Sequence, residues 1–472
     1  MTAAAPSTAA KGSTVNAPLF ADVMEAIGNT PMIEVTKLDT GPCRLFLKLE
    51  NQNPGGSIKD RIGRSMILAA ERDGRLKPGG TIIEATAGNT GLGLALVAAQ
   101  RGYAMVLVVP DKMAQEKIFH LQALGVDVRL TRSDVGKGHP EYYQDMAQRL
   151  ATENGWFYAN QFENPANPQA HVDTTGPEIL AQLDGDLDAM VCGVGSSGTI
   201  SGLSQFFAEA SPKTAMVLAD PEGSILTHFI ETGEISTDVG SWLVEGIGED
   251  FIPPIADFSR VKRAFSIADA EAMETARMLL RKEGILAGSS SGTLIAAALK
   301  YCREQSAPKR VCTFVCDSGS KYLSKMFNDF WMLDQGFLKR PARGDLRDLI
   351  SRRHESRETV VVSPDDALST ALSRMKLYDI SQLPVLDKDG RVVGIIDEED
   401  VLFPLMDHAS DFSASVGDLM TKRLETIAHD SPIADLKPIF QKGHVAIVTE
   451  GEQFLGLITR MDLLTYLRRK QA

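Results

Sequence analysis

One lysine stands in a context that suits amine chemistry. Residues 53–61 read Asn-Pro-Gly-Gly-Ser-Ile-Lys-Asp-Arg and follow an alternating, strand-like run at residues 44–50. Lys59 is therefore predicted to lie at a glycine-loosened turn between a strand and an amphipathic helix, where a bound molecule can approach closely. A lysine amine held there could form a Schiff base with a carbonyl compound and then act as a base. Because a single lysine is more often structural, this interpretation depends on matching motifs elsewhere.

Two glycine-rich turns follow apolar, strand-like runs and could bind anions. The first, residues 86–91, follows the run 81–84 and precedes a helix predicted over 92–101. The exposed amides at the start of such a helix favour an anion such as a carboxylate. The second, residues 193–199, follows a predicted buried strand at 187–192, and its amides and hydroxyls suit a phosphate.

The second turn also matches the GxGxxG pattern of dinucleotide-binding sites. Asp220 ends the next apolar run, about where such a site places the acid that binds a ribose. Ser197 and Thr199 add hydroxyls that a pyrophosphate turn does not need, which favours a cofactor with a single phosphate. A plain turn without a ligand is the third alternative, and this loop taken alone does not separate the three.

Taken together, the motifs resemble those of the fold-type II pyridoxal-phosphate enzymes, most closely the cystathionine β-synthase family and its relative, cysteine synthase. The matching segments keep the family's order and are residues 28–31, 53–61, 88–91, 164–168 with His171, 193–199, 244–253 and 329–333. The resemblance implies an α/β catalytic domain of two parallel-sheet subdomains, and pyridoxal 5'-phosphate as the cofactor.

The resemblance also implies how the cofactor would be held. Lys59 would bind it through the side-chain amine and would then remove the substrate's α-proton. Asn89 would hydrogen-bond the ring hydroxyl of the cofactor. The predicted phosphate contacts are Gly195, Ser196, Ser197, Gly198 and Thr199.

Ser290, within the Gly-Ser-Ser-Ser-Gly run at 288–292, would face the pyridine nitrogen of the cofactor. A neutral hydroxyl cannot keep that nitrogen protonated, so the ring is a weaker electron sink. The resemblance therefore implies loss of a β-substituent in preference to transamination. A helix N-cap is the alternative role for Ser290.

The reaction that the resemblance implies is the transsulfuration step that condenses L-serine with L-homocysteine to cystathionine and water, with hydrogen sulfide production from cysteine as a side reaction. Cysteine synthase activity, from O-acetylserine and sulfide, is the alternative. Hydroxide is a poor leaving group and must be protonated as it departs, and Lys59 is the nearest candidate acid. The predicted substrate contacts are Thr86, Ala87, Gly88, Thr90, Gln161, Gly246 and Glu249.

Three positions depart from the family pattern, and they bear on the substrate more than on the cofactor. Ala87 stands where these families usually have serine, and Phe162 stands where the animal synthases have tyrosine. Glu249 replaces a tyrosine beside the substrate. An acid there could receive the ammonium group of homocysteine, or it is a solvated loop charge.

Composition limits the function classes. A length of 472 residues predicts two or three domains, and a net charge of -13 argues against nonspecific binding to nucleic acid. No apolar run is long enough to span a bilayer, so no membrane association is expected. The Ala/Ser/Thr-rich tail at residues 1–16 has no hydrophobic segment, so we expect it to be disordered and the protein to be cytoplasmic.

Five widely spaced cysteines fit a reducing compartment better than a disulfide framework. Cys312 and Cys316 are predicted to share the core face of one strand. The first cysteine is Cys43 and the first histidine is His120, which leaves no Cys/His pair before the catalytic motifs to ligate a haem iron. No haem is therefore expected.

The chain is predicted to contain a catalytic domain at 17–337 and a solvated basic linker at 338–357. Beyond the linker, residues 385–402 and 447–464 each read as two strands and a helix. A repeat of this size usually buries its apolar face against its copy. The pair resembles tandem CBS domains, a Bateman module, with the first domain at 358–412 and the second at 413–472.

The second repeat retains residues that could bind a nucleoside, namely Thr459 and Asp462, whose carboxylate can chelate two ribose hydroxyls. The resemblance implies S-adenosylmethionine as the ligand and a homodimer or larger homo-oligomer. In the first repeat Asp397 replaces the usual Ser/Thr and would repel a phosphate, and Ser381 stands where the animal enzymes have an aspartate. The alternatives are a pair that only dimerises, or a nucleotide sensor whose catalytic half is inert.

Overall fold

The structure is a computed structural model that describes residues 19–86, 88–111, 113, 115–407 and 411–471. The predicted disordered tail at 1–16 and the predicted substrate contact Ala87 lie outside the described residues. The chain divides into two compact units, Met1–Phe327 and Asn328–Ala472.

Two sheets form the framework of the first unit. Its strands are β1 (Met32–Glu34), β2 (Arg44–Leu49), β3 (Thr81–Ala85), β4 (Ala104–Pro110), β5 (Asp127–Thr131), β6 (Phe157–Tyr158), β7 (Ala189–Cys192), β8 (Ala215–Pro221), β9 (Val261–Ile267) and β10 (Arg310–Val315). One sheet has the order β1-β2-β10-β7-β8-β9, and the other has the order β5-β4-β3-β6. All neighbours pair in parallel except β1 with β2. The predicted α/β fold of two parallel-sheet subdomains is confirmed.

Helices connect these strands. They are α1 (Lys59–Arg72), α2 (Asn89–Arg101), α3 (Gln115–Ala123), α4 (Tyr143–Asn154), α5 (Ala166–Ala170), α6 (Gly176–Gln182), α7 (Gly198–Ala210), α8 (Leu226–Thr232), α9 (Asp269–Glu283) and α10 (Ser289–Arg303). A π-helical turn, His171–Thr175, joins α5 to α6. Helix α2 begins at Asn89, three residues earlier than the sequence predicts, because the Gly-Asn-Thr-Gly turn itself supplies its first turn.

The strands are apolar because helices and neighbouring segments bury them. β7 is buried at every position, and β3 at all but its first residue, as expected for central parallel strands. Helices α1 and α2 approach closely through two glycines. A Cβ atom at Gly63 would lie 2.6 Å from the carbonyl carbon of Gly93, and one at Gly93 would lie 2.6 Å from the carbonyl oxygen of Lys59. This close packing sets the start of α1, and hence Lys59, against α2.

The second unit contains two similar repeats. Its elements are α11 (Asp329–Asp334), α12 (Leu368–Tyr378), β11 (Gln382–Leu386), β12 (Val392–Asp397), α13 (Glu398–Met406), α14 (Val416–Leu419), β13 (Thr426–Ala428), α15 (Leu436–Gln441), β14 (Ala446–Glu450), β15 (Gln453–Ile458) and α16 (Arg460–Gln471). Strands β11 and β12 are antiparallel, as are β14 and β15, and each pair leads into a helix. The predicted strand-strand-helix repeat is confirmed, while the predicted extents 358–412 and 413–472 stay predictions.

The basic segment after Trp331 is not solvated throughout, contrary to the sequence prediction. Residues 341–344 are exposed, but Leu346, Leu349 and Ile350 are at most 2% exposed. These three side chains belong to the core that also contains Leu436 and Ile458 of the second repeat. The sequence prediction was wrong because the surrounding arginines made the whole segment look solvated. The segment contributes apolar side chains to the core of the second repeat and does not only link domains.

Candidate functional site

A cavity of about 390 Å³ lies in the first unit, where several parallel strands end. It is lined by residues that follow the carboxyl ends of β3, β7 and β10, and by Pro110 at the end of β4. In α/β sheets this edge is the usual place for a ligand. Of the predicted cofactor and substrate contacts that the structure describes, the cavity brings together Lys59, Thr86, Gly88, Asn89, Thr90, Gln161, Gly195, Ser196, Ser197, Gly198, Thr199, Gly246, Glu249 and Ser290.

Lys59 is the first residue of α1 and lines this cavity. Its backbone N–H donates to the Ser57 hydroxyl at 3.3 Å. Burial lowers the pKa of the Lys59 amine, and the nearby Cys316 and Glu249 act in the opposite direction. The amine is therefore neutral more often than that of an exposed lysine, as a nucleophile or base requires.

The turn between β7 and α7 fits a phosphate group. Ser197 adopts a φ of +67°, an uncommon conformation for a side-chain-bearing residue, and precedes the first residue of α7. Its buried hydroxyl has no hydrogen-bond partner among the described residues, which leaves a donor for a ligand. A Cβ atom at Gly198 would lie 1.8 Å from Oδ1 of Asn167, so glycine is needed for the close packing of this turn. The free hydroxyl and the N-terminal amides of α7 together match phosphate chemistry.

A histidine orients one hydroxyl near the start of α7. The Thr199 hydroxyl lies 3.2 Å from Nε2 of His171, whose Nδ1 lies 2.9 Å from the Thr175 hydroxyl. Burial and the positive charges of Lys59 and Arg61 hold the pKa of His171 well below its usual range, so the ring is neutral. A neutral ring with one donor and one acceptor nitrogen can fix the direction of the Thr199 hydroxyl.

The turn between β3 and α2 presents the predicted substrate contacts. The Gly88 N–H donates to the Thr86 hydroxyl at 3.2 Å, and Gly88 has a φ of +129°, which favours glycine. The Thr90 hydroxyl donates to Oε1 of Gln161 at 2.7 Å. Thr86, Thr90 and Gln161 are thus held together at one part of the cavity wall.

The buried carboxyl group of Glu84 bonds to the backbone of this part of the cavity wall. Glu84 is fully buried, and its side chain accepts the backbone N–H groups of Ala85 at 3.0 Å and Gln161 at 3.3 Å. Burial raises the pKa of Glu84 to about 8. Its position at the end of β3 connects the strand to the loop that carries Gln161.

We expect the Glu84→Gln variant to gain stability relative to the parent as the pH rises. Because burial raises the pKa of Glu84 to about 8, from an ordinary value near 4.5, the parent loses stability as the pH rises through this interval. Glutamine does not titrate, so it lacks that loss. Unfolding midpoints of both proteins at pH 5 and pH 8.5 measure the effect, and an equal difference at the two pH values would contradict it.

Ser290 lines the cavity and is 5% exposed. The alternative role of Ser290 as a helix N-cap is wrong, because α10 begins at Ser289 and its N-cap residue is Gly288. The Ser289 hydroxyl instead accepts the backbone N–H of Glu245 at 3.1 Å, and the Ser291 hydroxyl accepts that of Cys316 at 2.9 Å. Ser290 is thus placed where it can contact a cavity ligand.

The prediction that Cys316 belongs to the core is also wrong. Cys312 is fully buried in β10, but Cys316 lies one residue beyond the strand, is half-buried and lines the cavity. The period-two pattern of a strand stops applying where the strand ends. Burial raises the pKa of the Cys316 thiol to about 12, so it is not a ready nucleophile.

The loop at 244–250 forms another part of the wall. The Gly248 N–H donates to the carbonyl of Val194 at 2.7 Å, and the Glu249 N–H donates to the Ser224 hydroxyl at 3.1 Å. Burial raises the pKa of Tyr143, and the nearby charge of Glu249 raises it further. Tyr142 and Tyr143, which the sequence reasoning missed, also line the cavity.

Asp220, the acid that a dinucleotide site would use to bind a ribose, is not at the cavity. Asp220 is fully buried at the end of β8 and does not line the cavity. Its Oδ2 accepts the backbone N–H of Thr227 at 2.9 Å and the Thr227 hydroxyl at 3.0 Å. Asp220 therefore stabilises the start of α8 instead of facing the glycine-rich turn.

The predicted nucleoside contacts lie at the start of α16 in the second unit. Oδ2 of Asp462 accepts the backbone N–H of Thr459 at 2.7 Å and the Thr459 hydroxyl at 2.6 Å. Oδ1 of Asp462 accepts the Ser351 hydroxyl. Asp462 thus stabilises the helix start, and only a ligand that displaces Ser351 could gain both carboxylate oxygens.

The described residues contain no group of His, Cys, Asp and Glu side chains that could hold a metal ion. In the same part of the chain, no helix is both long and apolar enough to cross a bilayer.

Known proteins resemble this chain in both units. A family model for pyridoxal-phosphate dependent enzymes matches residues 23–317, and the CBS domain model matches 347–407 and 416–469. The cystathionine beta-synthase of Dictyostelium discoideum is 34% identical over 468 residues, which cover 95% of this chain and 93% of that protein. The cystathionine beta-synthase of Oryctolagus cuniculus is 36% identical, and the match covers 95% of this chain and 85% of that protein.

Solved structures match the catalytic part. An O-acetylserine dependent cystathionine beta-synthase from Helicobacter pylori has a TM-score of 0.60 and 36% identity, over 66% of this chain and 99% of that one. A hydrogen sulfide-producing enzyme from Fusobacterium nucleatum has a TM-score of 0.61 and 35% identity, over 65% of this chain and its own full length. From the cavity, the sheets, the repeats and these similarities, we conclude that the chain belongs to the cystathionine β-synthase family of pyridoxal-phosphate-dependent enzymes, with a fold-type II catalytic domain followed by CBS domains.

Proposed function

We propose that this enzyme condenses L-serine with L-homocysteine to form cystathionine and water, the condensation step of transsulfuration. The observation that carries the proposal is one cavity that combines the half-buried Lys59, a phosphate-fitting turn, a carboxylate-fitting turn and the acidic side chain of Glu249. Pyridoxal phosphate, when bound, supplies the electron-withdrawing ring that acidifies the α-carbon of the amino acid.

The side chains of the cavity supply the remaining chemistry. Lys59 would hold the cofactor through its amine. Once the substrate's amino group has displaced it, the free Lys59 amine would accept the α-proton and deliver a proton to the departing hydroxyl. Thr86, Thr90 and the amides around Gly88 bind the substrate carboxylate, while Gln161 keeps Thr90 in place. Ser290 would face the pyridine nitrogen without providing a charge, which would favour loss of the β-substituent.

The phosphate of the cofactor is proposed to bind at the start of α7. The free Ser197 hydroxyl and the Thr199 hydroxyl that His171 orients are the side-chain donors. Gly195, Ser196 and Gly198 contribute backbone amides at the same turn. This arrangement needs no metal ion to neutralise the phosphate, because the helix start and the donors do so.

The substrate assignment is tested by product identification. Purified protein is incubated with serine or O-acetylserine, each combined with homocysteine or sulfide, and the products are identified by mass spectrometry. Cystathionine from serine and homocysteine supports the proposal. Cysteine from O-acetylserine and sulfide, with no cystathionine from either donor, would assign cysteine synthase activity instead, and no product at all would favour an inert catalytic half.

Glu249 is proposed to receive the ammonium group of homocysteine, so the Glu249→Gln variant should raise the KM for homocysteine about tenfold, because the acceptor of the ammonium group loses its charge. The KM for serine should stay near that of the parent. Steady-state kinetics with each substrate varied in turn measures this split. Glu163→Gln, which removes an exposed acid outside the cavity lining, is the matched control. An unchanged homocysteine KM in Glu249→Gln would identify Glu249 as a solvated loop charge.

We further propose that the CBS-domain pair binds an adenosyl ligand such as S-adenosylmethionine through Thr459 and Asp462. The Asp462 carboxylate would exchange the Ser351 hydroxyl for ribose hydroxyls. Titration calorimetry with S-adenosylmethionine tests this assignment, and the absence of heat would favour a pair that only dimerises.

The protein is proposed to be a cytoplasmic homodimer or larger homo-oligomer without haem, and to release hydrogen sulfide when cysteine replaces serine. The five cysteines are all free thiols, which supports a reducing compartment. The absence of a Cys/His pair ahead of the catalytic motifs supports the proposal that haem is not required.

A further inference from the structure

Two side chains from the segment after β10 bond the carboxamide of Asn89. The Asn89 Nδ2 donates to Oδ2 of Asp317 at 2.8 Å. The Lys321 ammonium donates to Oδ1 of Asn89 at 2.9 Å. Asp317 is fully buried and Lys321 is 6% exposed, so water competes little for either bond. The segment 317–321 therefore sets the surroundings of Asn89.

The chemistry of these two partners permits one orientation of the amide. A carboxylate only accepts hydrogen bonds, so it requires the NH₂ group of Asn89. An ammonium group only donates, so it requires the oxygen. Turning the carboxamide over would set oxygen against oxygen and nitrogen against nitrogen. Asn89 lines the cavity, so its second N–H is the group that remains to bind a ligand.

The same segment also contacts the two other turns that approach the cofactor site. The Gly288 N–H, two residues before Ser290, donates to the backbone carbonyl of Asp317 at 3.1 Å. Lys321 donates to the carbonyls of Gly55 at 3.1 Å and Gly56 at 3.3 Å, just before Lys59. With Asn89 this makes three acceptors for its three N–H groups.

The neighbourhood of Asp317 shows that its carboxylate is confined. Its Oδ2 also accepts the Tyr322 hydroxyl at 2.8 Å, whereas its buried Oδ1 has no partner among the described residues. A Cβ atom at Gly288 would lie 1.9 Å from that Oδ1. The carboxylate therefore has little freedom to turn away from Asn89.

We propose that Asp317 and Lys321 are positioning residues that fix the Asn89 carboxamide with an N–H toward the ring oxygen of the cofactor. This N–H favours the anionic form of that oxygen, whereas a reversed amide would repel it. The proposal rests on the proposed contact between Asn89 and the cofactor, and not on the identity of the amino-acid substrates.

The Asp317→Asn variant tests the proposal. The new amide can either donate or accept, so only Lys321 still favours one orientation of Asn89. Cofactor-free protein is titrated with pyridoxal 5'-phosphate while the visible absorption is recorded. We expect about tenfold weaker affinity, the effect of one charge-assisted hydrogen bond. We also expect intensity to move from the longer-wavelength band, in which the ring oxygen is anionic, to the shorter-wavelength band.

A double-mutant cycle with Asn89→Ala separates positioning from a general structural effect. If Asp317 acts through Asn89, the Asp317→Asn/Asn89→Ala double variant binds the cofactor no more weakly than Asn89→Ala alone. Additive losses, or an Asp317→Asn protein with the parent's affinity and spectrum, would overturn the proposal.

Asp220→Asn is the matched control, since Asp220 is an equally buried carboxylate outside the cavity lining. It should change thermal stability without changing the ratio of the two bands. If Asp317→Asn does not fold, Lys321→Gln is the substitute, because it weakens the bond from Lys321 to Oδ1 of Asn89. It should move intensity between the two absorption bands in the same direction. An unchanged ratio of the two bands would count against the proposal. All these measurements omit substrate, so a failure here is distinct from a failure of the serine and homocysteine assignment.

Discussion

Replacing Lys59 with alanine lowers the rate of cystathionine formation by about 10³-fold. The expected loss is this large because, in the proposed mechanism, one amine would hold the cofactor, remove the α-proton and protonate the departing hydroxyl. Lys59 is suited to these roles because burial in the cavity wall lowers the pKa of its amine. Initial rates with serine and homocysteine, measured at saturating cofactor, give the effect.

Lys213→Ala is the matched control for this substitution. Lys213 is exposed and pairs with Asp186 on the surface, with 2.9 Å between Nζ and Oδ1, and it does not line the cavity. Its rate should equal that of the parent within experimental scatter. A Lys59→Ala protein with full activity would disprove the proposed mechanism.

Replacing Arg61 with methionine destabilises the first unit by about 3–5 kcal/mol, since it leaves a buried carboxylate without its cation. The Arg61 guanidinium makes two bonds to Glu50, with Nε to Oε2 at 2.7 Å and Nη2 to Oε1 at 2.8 Å. It makes two more to Glu178, each at 2.7 Å. Glu50 is fully buried and Arg61 is 3% exposed, so neither group can turn to solvent.

Urea unfolding measures this loss, and Arg44→Met is the matched control. Arg44 makes a similar two-bond pair with Glu34, at 2.8 and 2.6 Å, but its side chain is 56% exposed. Exposed pairs contribute roughly 0.2–1 kcal/mol, so the control should lose little. Equal losses from the two variants would show that burial of the Arg61 cluster does not determine its contribution.

The parts of the site that sequence could predict are those with local signals. Lys59 and the two glycine-rich turns each lie between a strand and the helix that follows it in the sequence, and the structure brings all three to one cavity. Short motifs specify such junctions because the backbone geometry of the turn requires glycine. What the motifs bind came from the resemblance, since the turns alone left three alternatives.

The parts that sequence did not predict depend on distant contacts. Asp317 and Lys321 reach Asn89 across 228 and 232 residues of chain, and no local pattern marks them. Cys316 was assigned to the core because the strand pattern was extended one residue too far. Leu346 and its apolar neighbours were read as linker because arginines surround them in the sequence.

The most direct test of the central claim is to locate the cofactor on the chain. The purified protein is incubated with pyridoxal 5'-phosphate, reduced with borohydride to make the lysine linkage permanent, digested and examined by mass spectrometry. The added mass is expected on the peptide that contains Lys59, and it should be absent from that peptide in Lys59→Ala. Modification of another lysine in the parent, or of none, would contradict it.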